Sequence, residues 1–319
     1  MRALWKTREL STLLVLALEV AFFTWYLWPD GPRAHPFFNL NNGVLILKYS
    51  ALYGIAAIGA AMVIICGGVD LSPGAVMAIS GVVTGSLFVE SGQPLAVSVA
   101  AGLATGVLAG LLSAALIVLV RLPPFIATLG VMGIARGAAF IITEGRYFDL
   151  SSRLPAGWHP FGMPADWLAP VILLGLAVLF QVFMTGFQWG RAVFAIGGNE
   201  TAALFSGIRV GRVKALVYVL AAFLASLSGI ILVTVQGQGR ADLATGYELD
   251  IIASAVVGGA SLSGGRGSVV GAVLGTLIFG VLRNALPQIP GATFYDRLIV
   301  GVVVVVIVVV DQFIARKGG

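Results

Sequence analysis

The chain has 319 residues, of which 59% are hydrophobic and only 10% are charged. Soluble domains carry about 25% charged residues, so a single soluble core could not hide this much apolar surface, and lipid is the expected solvent. The net charge of +5 comes from scattered Lys and Arg residues, which argues against nucleic acid as a partner and favours cationic segments at a membrane surface. The single cysteine, Cys66, supports neither a disulfide nor a metal site.

Apolar segments of membrane-spanning length follow one another along the chain. They predict helices at 10–28, 44–66, 73–90, 94–120, 124–143, 167–186, 214–236 and 298–313. Between 249 and 282, two shorter apolar pieces flank the sequence GGASLSGGRG, and they could be two thin spans or one re-entrant pair. The first segment is too long for a signal peptide and lacks a cleavage site, so we expect it to be retained.

Lysine and arginine predict the orientation, because they concentrate on the cytoplasmic side. With the N-terminus inside, the cytoplasmic segments hold eleven of the nineteen cations: Arg2, Lys6, Arg8, Arg121, Arg191, Arg209, Arg212, Lys214, Arg266, Arg316 and Lys317. The external segments 144–166 and 237–250 are mixed or acidic. The predicted fold is all-α: one polytopic membrane domain over 1–319, with about ten transmembrane or re-entrant helices and both termini cytoplasmic.

Small residues recur at four-residue spacing, a pattern that lets membrane helices approach closely. Three stripes are present: Gly102-Gly106-Gly110, Gly133-Gly137 and Gly267-Gly271-Gly275. They could pack helices within the chain or form a subunit interface, and the sequence does not separate the two.

Several kinds of chemistry lack their motifs. No G-x-x-x-x-G-K-[ST] loop is present, so we expect the chain to bind no ATP itself. His35 and His159 are isolated from each other and from carboxylates, which disfavours a metal site. No Ser/His/Asp grouping has a plausible placement, and an intramembrane enzyme is therefore poorly supported.

The pattern G-G-x-x-L-S interrupts an apolar run twice, as GGVDLS at 67–72 and GGASLS at 258–263. Ser72 and Pro73 suit the N-cap and first position of a helix, so 67–72 is a predicted break between helices. Such breaks are tolerated where protein or a water-filled path satisfies the backbone. A tight turn with chance similarity is the alternative reading, and Asp70 could cap a helix or face a transport path.

Polar groups inside predicted spans are the other path candidates. Arg136 needs a partner or water; it could snorkel, form a structural ion pair or line a path. Hydroxyls and amides can hydrogen-bond a polyhydroxylated solute without a buried charge, although they more often join helices. The candidate translocation residues are Asp70, Ser72, Thr128, Arg136, Gln236 and Asn284.

The stretch GRAVFAIGGNETAALFSGIRVGR at 190–212 is polar and basic within an apolar chain, in a predicted cytoplasmic loop of about 187–213. Asn199 can cap a short helix with Glu200 in its first turn. Gly207 suits the left-handed position after the helix, with Ile208 closing it. Its apolar residues, Ala203, Leu204 and Phe205, could anchor it at the membrane interface or dock it into a cytoplasmic partner.

Four stretches now resemble a known family: GGVDLSPGAVMAISG, LPPFIATLGVMGIARG, GRAVFAIGGNETAALFSGI and YELDIIASAVVGGASLSGGRGSVVGAVLGTLIFGVLRN. They resemble the membrane permeases of ATP-binding-cassette importers for ribose, xylose and galactofuranose, from about residue 44 to 311. The resemblance implies a second permease subunit, identical or different, a cytoplasmic double-domain ATPase and a periplasmic sugar-binding protein. It also implies that the short helix is the coupling helix, on Gly198, Asn199, Glu200, Ala203, Leu204 and Gly207.

The expected function is import of a pentose or furanose-type monosaccharide across the inner membrane, with ATP on the partner and neither enzyme activity nor cofactor on this chain. Related permeases carry nucleosides, a signalling furanose or branched-chain amino acids, so the solute stays open. An ion-coupled secondary transporter is the competing class. It would need intramembrane carboxylates, for which Asp70 is the best candidate.

Overall fold

The computed structural model describes residues 2–28, 37–154 and 165–295, together with 298–299, 301–302, 305–306 and 309. The helices are α1 Arg2–Tyr26, α2 Leu40–Ile65, α3 Pro73–Val89, α4 Leu95–Val118, α5 Pro124–Thr143, α6 Ala165–Gly186, α7 Gln188–Gly198, α8 Glu200–Phe205, α9 Val210–Gln236, α10 Tyr247–Val257 and α11 Val269–Ala285. Two strands, β1 Tyr147–Asp149 and β2 Gln238–Arg240, are also present. Both histidines, and most of the predicted span 298–313, lie outside the described residues.

Seven helices within the described ranges are long and apolar enough to cross a membrane. They contain the segments Glu9–Tyr26, Leu40–Ile65, Leu95–Val118, Pro124–Thr143, Asp166–Gly186, Val210–Gln236 and Val269–Gln288. Helix α3 is apolar but has only 17 residues. The prediction of an all-α polytopic membrane protein is confirmed.

The two short pieces predicted between 249 and 282 are unequal. Helix α11, with the 3-10 turn after it, reaches spanning length. Helix α10 has 11 residues and is therefore about 16 Å long, roughly half a bilayer core. The chain before it, 237–246, consists of β2 and turns. This region is thus one full-length helix and one half-length helix, neither two thin spans nor a matched re-entrant pair.

The core is built around α2 and α9. Every residue of α2 from Ser50 to Ile65 is buried, as expected for a helix that is apolar all round and enclosed by others. Helix α9 packs against α2, α3 and α4. Close approach depends on small residues: a Cβ on Gly59 would lie 2.7 Å from the Cα of Ala221. This packing is the small-residue contact that membrane helices use in place of a hydrophobic driving force.

The three glycine stripes have different roles. Gly102, Gly106 and Gly110 of α4 lie against α3 and α9, and Gly271 and Gly275 of α11 lie against the end of α10. Gly133 and Gly137 of α5, by contrast, have no atom within 4 Å of where a Cβ would stand. Two stripes therefore pack helices within the chain, and the α5 stripe is open.

We expect Gly106→Leu to destabilise the protein by about 1–3 kcal/mol or more, because its side chain would overlap Ser226 and the Ala222 carbonyl on α9. Gly175→Leu is the matched control, because no atom of the described residues lies within 4 Å of where a Cβ on this residue of α6 would stand. Thermal unfolding of the purified protein in detergent should show a lower midpoint for Gly106→Leu alone. Equal shifts for both variants would contradict the packing described here.

The two strands join the two segments predicted to be external. They pair antiparallel, with Tyr147 opposite Arg240 and Asp149 opposite Gln238. Phe148 and Leu150 are buried against Gly85 of α3. This small sheet fixes where the irregular chain 237–246 enters the bundle.

Candidate functional site

The polar insert between α6 and α9 forms two short helices, and the second is the predicted one. The Asn199 side chain accepts a hydrogen bond from the Ala202 N–H at 2.9 Å. At the other end Gly207 has φ +81°, and the Ile208 N–H donates to the Ala203 carbonyl at 3.1 Å. These are the cap and the glycine-ended closure that the sequence predicts. The existence and limits of α8 are therefore confirmed.

Helix α8 turns apolar side chains away from the protein. Ala203 is buried, whereas Leu204 is 59% exposed and Phe205 is 86% exposed. Glu200 forms an ion pair with Lys214 at 2.7 Å, which ties α8 to the start of α9. Two exposed apolar residues on a six-residue helix held by caps at both ends make a rigid projecting surface.

The preceding helix, α7, was not predicted. Its buried residues are Gly190, Val193 and Ile196. Their spacing of three residues is a helical pattern that can be read in the sequence. The glycines at 190, 197 and 198 suggested a loop instead, because glycine weakens helices. Here Gly190 lies against the backbone of Met184, so the glycine serves close packing.

The end of α7 meets the residues that flank the two G-G-x-x-L-S segments, just before the first and just after the second, through backbone contacts. The Gly265 N–H donates to the Ile65 carbonyl at 2.8 Å. Gly197 lies against both: a Cβ there would stand 2.5 Å from the Gly265 nitrogen and overlap the Ile65 carbonyl oxygen. Gly264 in turn leaves no room for a Cβ beside the Gly197 carbonyl. We call Ile65, Gly197, Gly264 and Gly265 the glycine junction.

The junction brings the two breaks together. Ile65 is the last residue of α2, directly before the break 66–72, and Gly264 and Gly265 belong to the loop 258–267 between α10 and α11. Gly264 and Gly265 both have positive φ, +78° and +70°, which glycine adopts without strain. The loops that contain the two motif copies are therefore joined at their edges, through the residues that flank each copy.

The first break holds two of the candidate path residues, and a third lies against it. Asp70 is buried, and its Oδ1 accepts hydrogen bonds from the Ser72 N–H at 2.8 Å and the Ser72 hydroxyl at 2.7 Å. Thr128 of α5 accepts a hydrogen bond from the Leu71 N–H at 3.2 Å and donates to the Pro124 carbonyl at 3.0 Å. Thr128 thus contacts the backbone of the break, whereas Asp70 and Ser72 bond each other, and we call these three residues the break group.

The predicted N-cap at Ser72 is wrong in its detail. Ser72 already has helical backbone angles, φ −84° and ψ −15°, and its side chain makes no capping hydrogen bond. A capping residue usually has an extended backbone, and the Ser72 hydroxyl donates its hydrogen bond to the nearby Asp70 carboxylate instead. Pro73 at the first helical position is confirmed.

Among the described residues, the close partners of Arg136 are backbone carbonyls, and no carboxylate forms an ion pair with it. One guanidinium nitrogen donates to the carbonyls of Ala241 and Leu243, both at 2.7 Å. These carbonyls belong to the irregular chain 237–246, which cannot satisfy its own backbone groups inside a membrane protein. Glu248 follows on the same chain and packs against Gly74 at the start of α3. Arg136 thus fixes an irregular segment within the bundle.

The same segment carries an exposed charge pair. Arg240 donates two hydrogen bonds to Asp242, at 2.9 and 2.6 Å. Hydrogen bonding from this guanidinium lowers the pKa of Asp242 below its ordinary value.

The remaining two candidates lie elsewhere. Asn284 exchanges hydrogen bonds with Asn42, at 2.9 and 2.8 Å, and so joins α11 to α2. Gln236 is exposed at the last residue of α9. The six candidates therefore occupy four places: the break group, Arg136 on the irregular chain, Asn284, and Gln236.

Residues 43–308 match the model of a protein family described as the permease component of branched-chain amino acid transport systems. The chain belongs to this permease family. It is 38% identical to the ribose import permease protein of Escherichia coli (strain K12) over 280 residues, which are 86% of this chain and 87% of that protein. No solved structure matches the chain.

Other relatives name other sugars. The permease is 31% identical over 312 residues to the D-allose transport system permease protein of Escherichia coli (strain K12), with 96% of this chain and 92% of that protein covered. It is 30% identical over 295 residues to the fructose import permease protein of Rhizobium meliloti, with 88% and 80% covered. The resemblance to sugar-import permeases is confirmed, and the permease is a multi-pass protein of the inner membrane.

Sequence reasoning missed one polar group in this permease. Asp250 of α10 and Arg283 of α11 form an ion pair at 2.6 Å, with the Asp250 side chain only 2% exposed. They border a cavity of about 430 Å³ between α2, α10 and α11, which Asn284 also lines. The available signal was two opposite charges at the outer ends of the two short pieces, Asp250 at the start of the first and Arg283 just after the second. Among the described residues, no three His, Cys, Asp or Glu side chains are grouped to hold a metal ion.

Proposed function

We propose that this permease imports a neutral monosaccharide of the pentose or furanose type from periplasm to cytoplasm, with ATP hydrolysed on a separate ATPase subunit. The observation that carries the proposal is the exposed apolar surface of α8, joined at the end of α7 to both helix breaks. The names of its relatives, ribose, allose and fructose permeases, support a sugar. On this proposal the chain itself is not an enzyme and binds no cofactor.

The proposed role of α8 is to dock in the ATPase. Leu204 and Phe205 are exposed at 59% and 86%, and apolar residues on a short, polar-ended cytoplasmic helix are suited to a protein pocket. Asn199 and Gly207 form the helix ends, Gly198 precedes the cap without a side chain, and Ala203 is buried against the rest of the chain. These are the residues to which we assign coupling.

The glycine junction would transmit a movement of α7 and α8 to the two helix breaks. A shift of α7 and α8 presses on Ile65, which precedes the group of Asp70 and Ser72, and on the loop that follows α10. A permease that binds its solute equally in both facing states shifts no equilibrium. The difference between states must then come from the ATPase, whose nucleotide state changes the position of α8.

We propose that a second permease subunit covers the open face of α5. No atom of the described residues lies within 4 Å of where a Cβ on Gly133 or Gly137 would stand, and the adjacent Ile134 is 59% exposed. The other two glycine stripes are occupied by helices of the same chain, which supports an intermolecular role for this one. A periplasmic sugar-binding protein would meet the opposite end from α8, in a topology of about ten membrane segments with both termini cytoplasmic.

One observation favours ion-coupled transport as a second candidate. Glu19 lies within the α1 span Glu9–Tyr26, well away from either end. Its buried Oε2 accepts no hydrogen bond from the described residues. An intramembrane carboxylate is a possible proton or ion site by default.

Uptake in proteoliposomes tests the proposal. The permease, reconstituted with its ATPase and sugar-binding protein, is supplied with radiolabelled D-ribose, D-allose or D-fructose. We expect accumulation of at least one sugar that requires ATP, survives a proton uncoupler and is unchanged in Glu19→Gln. Uptake without the ATPase that collapses with the uncoupler and in Glu19→Gln would establish secondary transport instead.

A further inference from the structure

The cavity of about 430 Å³ lies beside the half-length helix α10. Its wall combines aromatic rings, one ion pair and amides, supplied by Tyr49, Tyr53, Tyr247, Asp250, Arg283 and Asn284. Ligand pockets for small molecules have volumes of about 300–1,000 Å³, so this one is of a size for a single small molecule. Leu45 and Ile46 of α2 add an apolar side.

The charges at the cavity balance one another. Asp250 is almost fully buried, and its Oδ2 receives a hydrogen bond from Arg283 at 2.6 Å. Paired buried charges bind neither a free cation nor a free anion strongly, since each already has its counter-charge. The lining therefore suits an uncharged solute that can accept from the guanidinium and donate to a carboxylate.

The aromatic and amide groups are held in fixed positions. Tyr53 donates to the Thr276 carbonyl at 3.0 Å, and its ring meets the Tyr247 ring edge-on at 6.1 Å. Tyr49 is 51% exposed, so its ring is available to a molecule in the cavity. Asn284 is fixed by Asn42 and by Gln288, whose amide donates to it at 3.1 Å. Flat rings beside fixed donors and acceptors recognise a ring-shaped polyhydroxylated molecule.

The cavity is connected to the glycine junction by one helix. Asp250 lies in the first turn of α10, and α10 ends at Val257, one residue before the loop 258–267 that carries Gly264 and Gly265. Movement at the junction would therefore shift the Asp250 end of a rigid helix of about 16 Å. A solute bound beside Asp250 would therefore contact a helix that moves when α7 and α8 move.

We propose that this cavity holds the transported solute during its passage, as a neutral polyhydroxylated ring recognised by the Asp250–Arg283 pair, Asn284 and the face of Tyr49. This inference rests on the proposed import function and adds its solute site. None of the sequence-derived path candidates except Asn284 belongs to the site.

Uptake by variants of the assembled transporter is the first test. Tyr49→Leu keeps the ion pair and removes the ring, and we expect about tenfold lower uptake at limiting sugar, with the ATPase still bound. Tyr147→Leu, which changes an equally exposed tyrosine in β1, is the matched control. The double variant Asp250→Asn/Arg283→Gln removes both charges without leaving one unpaired. A purely structural pair would leave its uptake near wild type, whereas a solute site predicts a loss.

Protection from labelling gives a direct readout of the site. Because Cys66 is the single cysteine, Cys66→Ala/Tyr49→Cys carries one thiol in the cavity, and Cys66→Ala/Tyr147→Cys carries one outside it. The sugar that wild type imports should slow maleimide labelling of the first thiol and leave the second unchanged. Equal labelling rates with and without that sugar, together with normal uptake by Tyr49→Leu, would overturn the inference while the import function stands. Failure of wild type to import any sugar would overturn the proposed function instead.

Discussion

Gly197→Ala is expected to reduce ATP-driven uptake by at least about tenfold while the ATPase remains bound. The added methyl group would overlap the Ile65 carbonyl oxygen and approach the Gly265 nitrogen to 2.5 Å, so the hydrogen bond between these two residues cannot persist. Alanine is otherwise the better residue in a helix, by about 1 kcal/mol. A loss of transport would therefore reflect the close contact and not the stability of α7. Uptake is measured alongside co-purification of the ATPase.

Gly186→Ala is the control for this experiment. Gly186 is the last residue of α6, shortly before α7, and among the described residues its new methyl group would meet only a Val182 methyl group, at an ordinary 3.9 Å. We expect its uptake and thermal stability to match those of wild type. Normal uptake by Gly197→Ala would show that the glycine junction does not transmit movement. A general folding defect would instead appear as a lower thermal midpoint with the ATPase lost as well.

Leu204→Asp is expected to abolish co-purification of the ATPase and, with it, uptake. The Leu204 side chain is 59% exposed and would be buried in a docked complex, where full burial contributes about 1.5–3 kcal/mol. A buried unpaired carboxylate adds a larger penalty. Because the side chain points away from the permease, the variant's own thermal stability should not change. A stable variant that still binds the ATPase would contradict the docking assignment.

Glu200→Arg separates an intramolecular role from a docking role. Glu200 pairs with Lys214, and an exposed pair of this kind contributes only about 0–1 kcal/mol. Lys214→Gln breaks the pair but keeps the carboxylate. We expect Glu200→Arg to weaken ATPase binding and Lys214→Gln to leave it near wild type. Equal loss in both variants would mean that the carboxylate acts only by holding α8 in place.

Local signals in the sequence were sufficient to predict where α8 begins and ends. Its start depends on Asn199 and Ala202, three residues apart, and its end on Gly207 and Ile208. The long spans were equally readable, because apolar length alone predicts them. Helix α10 could not be predicted in this way. An apolar segment of 11 residues can be a thin span, half of a re-entrant pair or a half-length helix, and only the position of the neighbouring loop decides between them.

Contacts between distant segments were beyond local reasoning. Asp250 pairs with Arg283, and Asn284 with Asn42, only when the helices pack together. The spacing of these residues along the sequence does not predict either contact. Arg136 shows the same limit: its partners are backbone carbonyls, which carry no side-chain signature. The Ser72 cap failed for a related reason, because Asp70 two residues earlier competes for its hydroxyl.

In α7 and α8, the residues that would select the ATPase are different from the residues that would transmit its movement to the membrane helices. Residues that would face the ATPase are exposed side chains, Leu204 and Phe205 above all, and they make few contacts with the rest of the permease. The glycine junction at the end of α7 is made by backbone contacts, while Val193, Ile196 and Ala203 are buried side chains of the two helices. The exposed side chains of α8 can therefore change without altering the junction. On the proposed docking, we expect exchange of these exposed side chains to redirect the permease to a different ATPase.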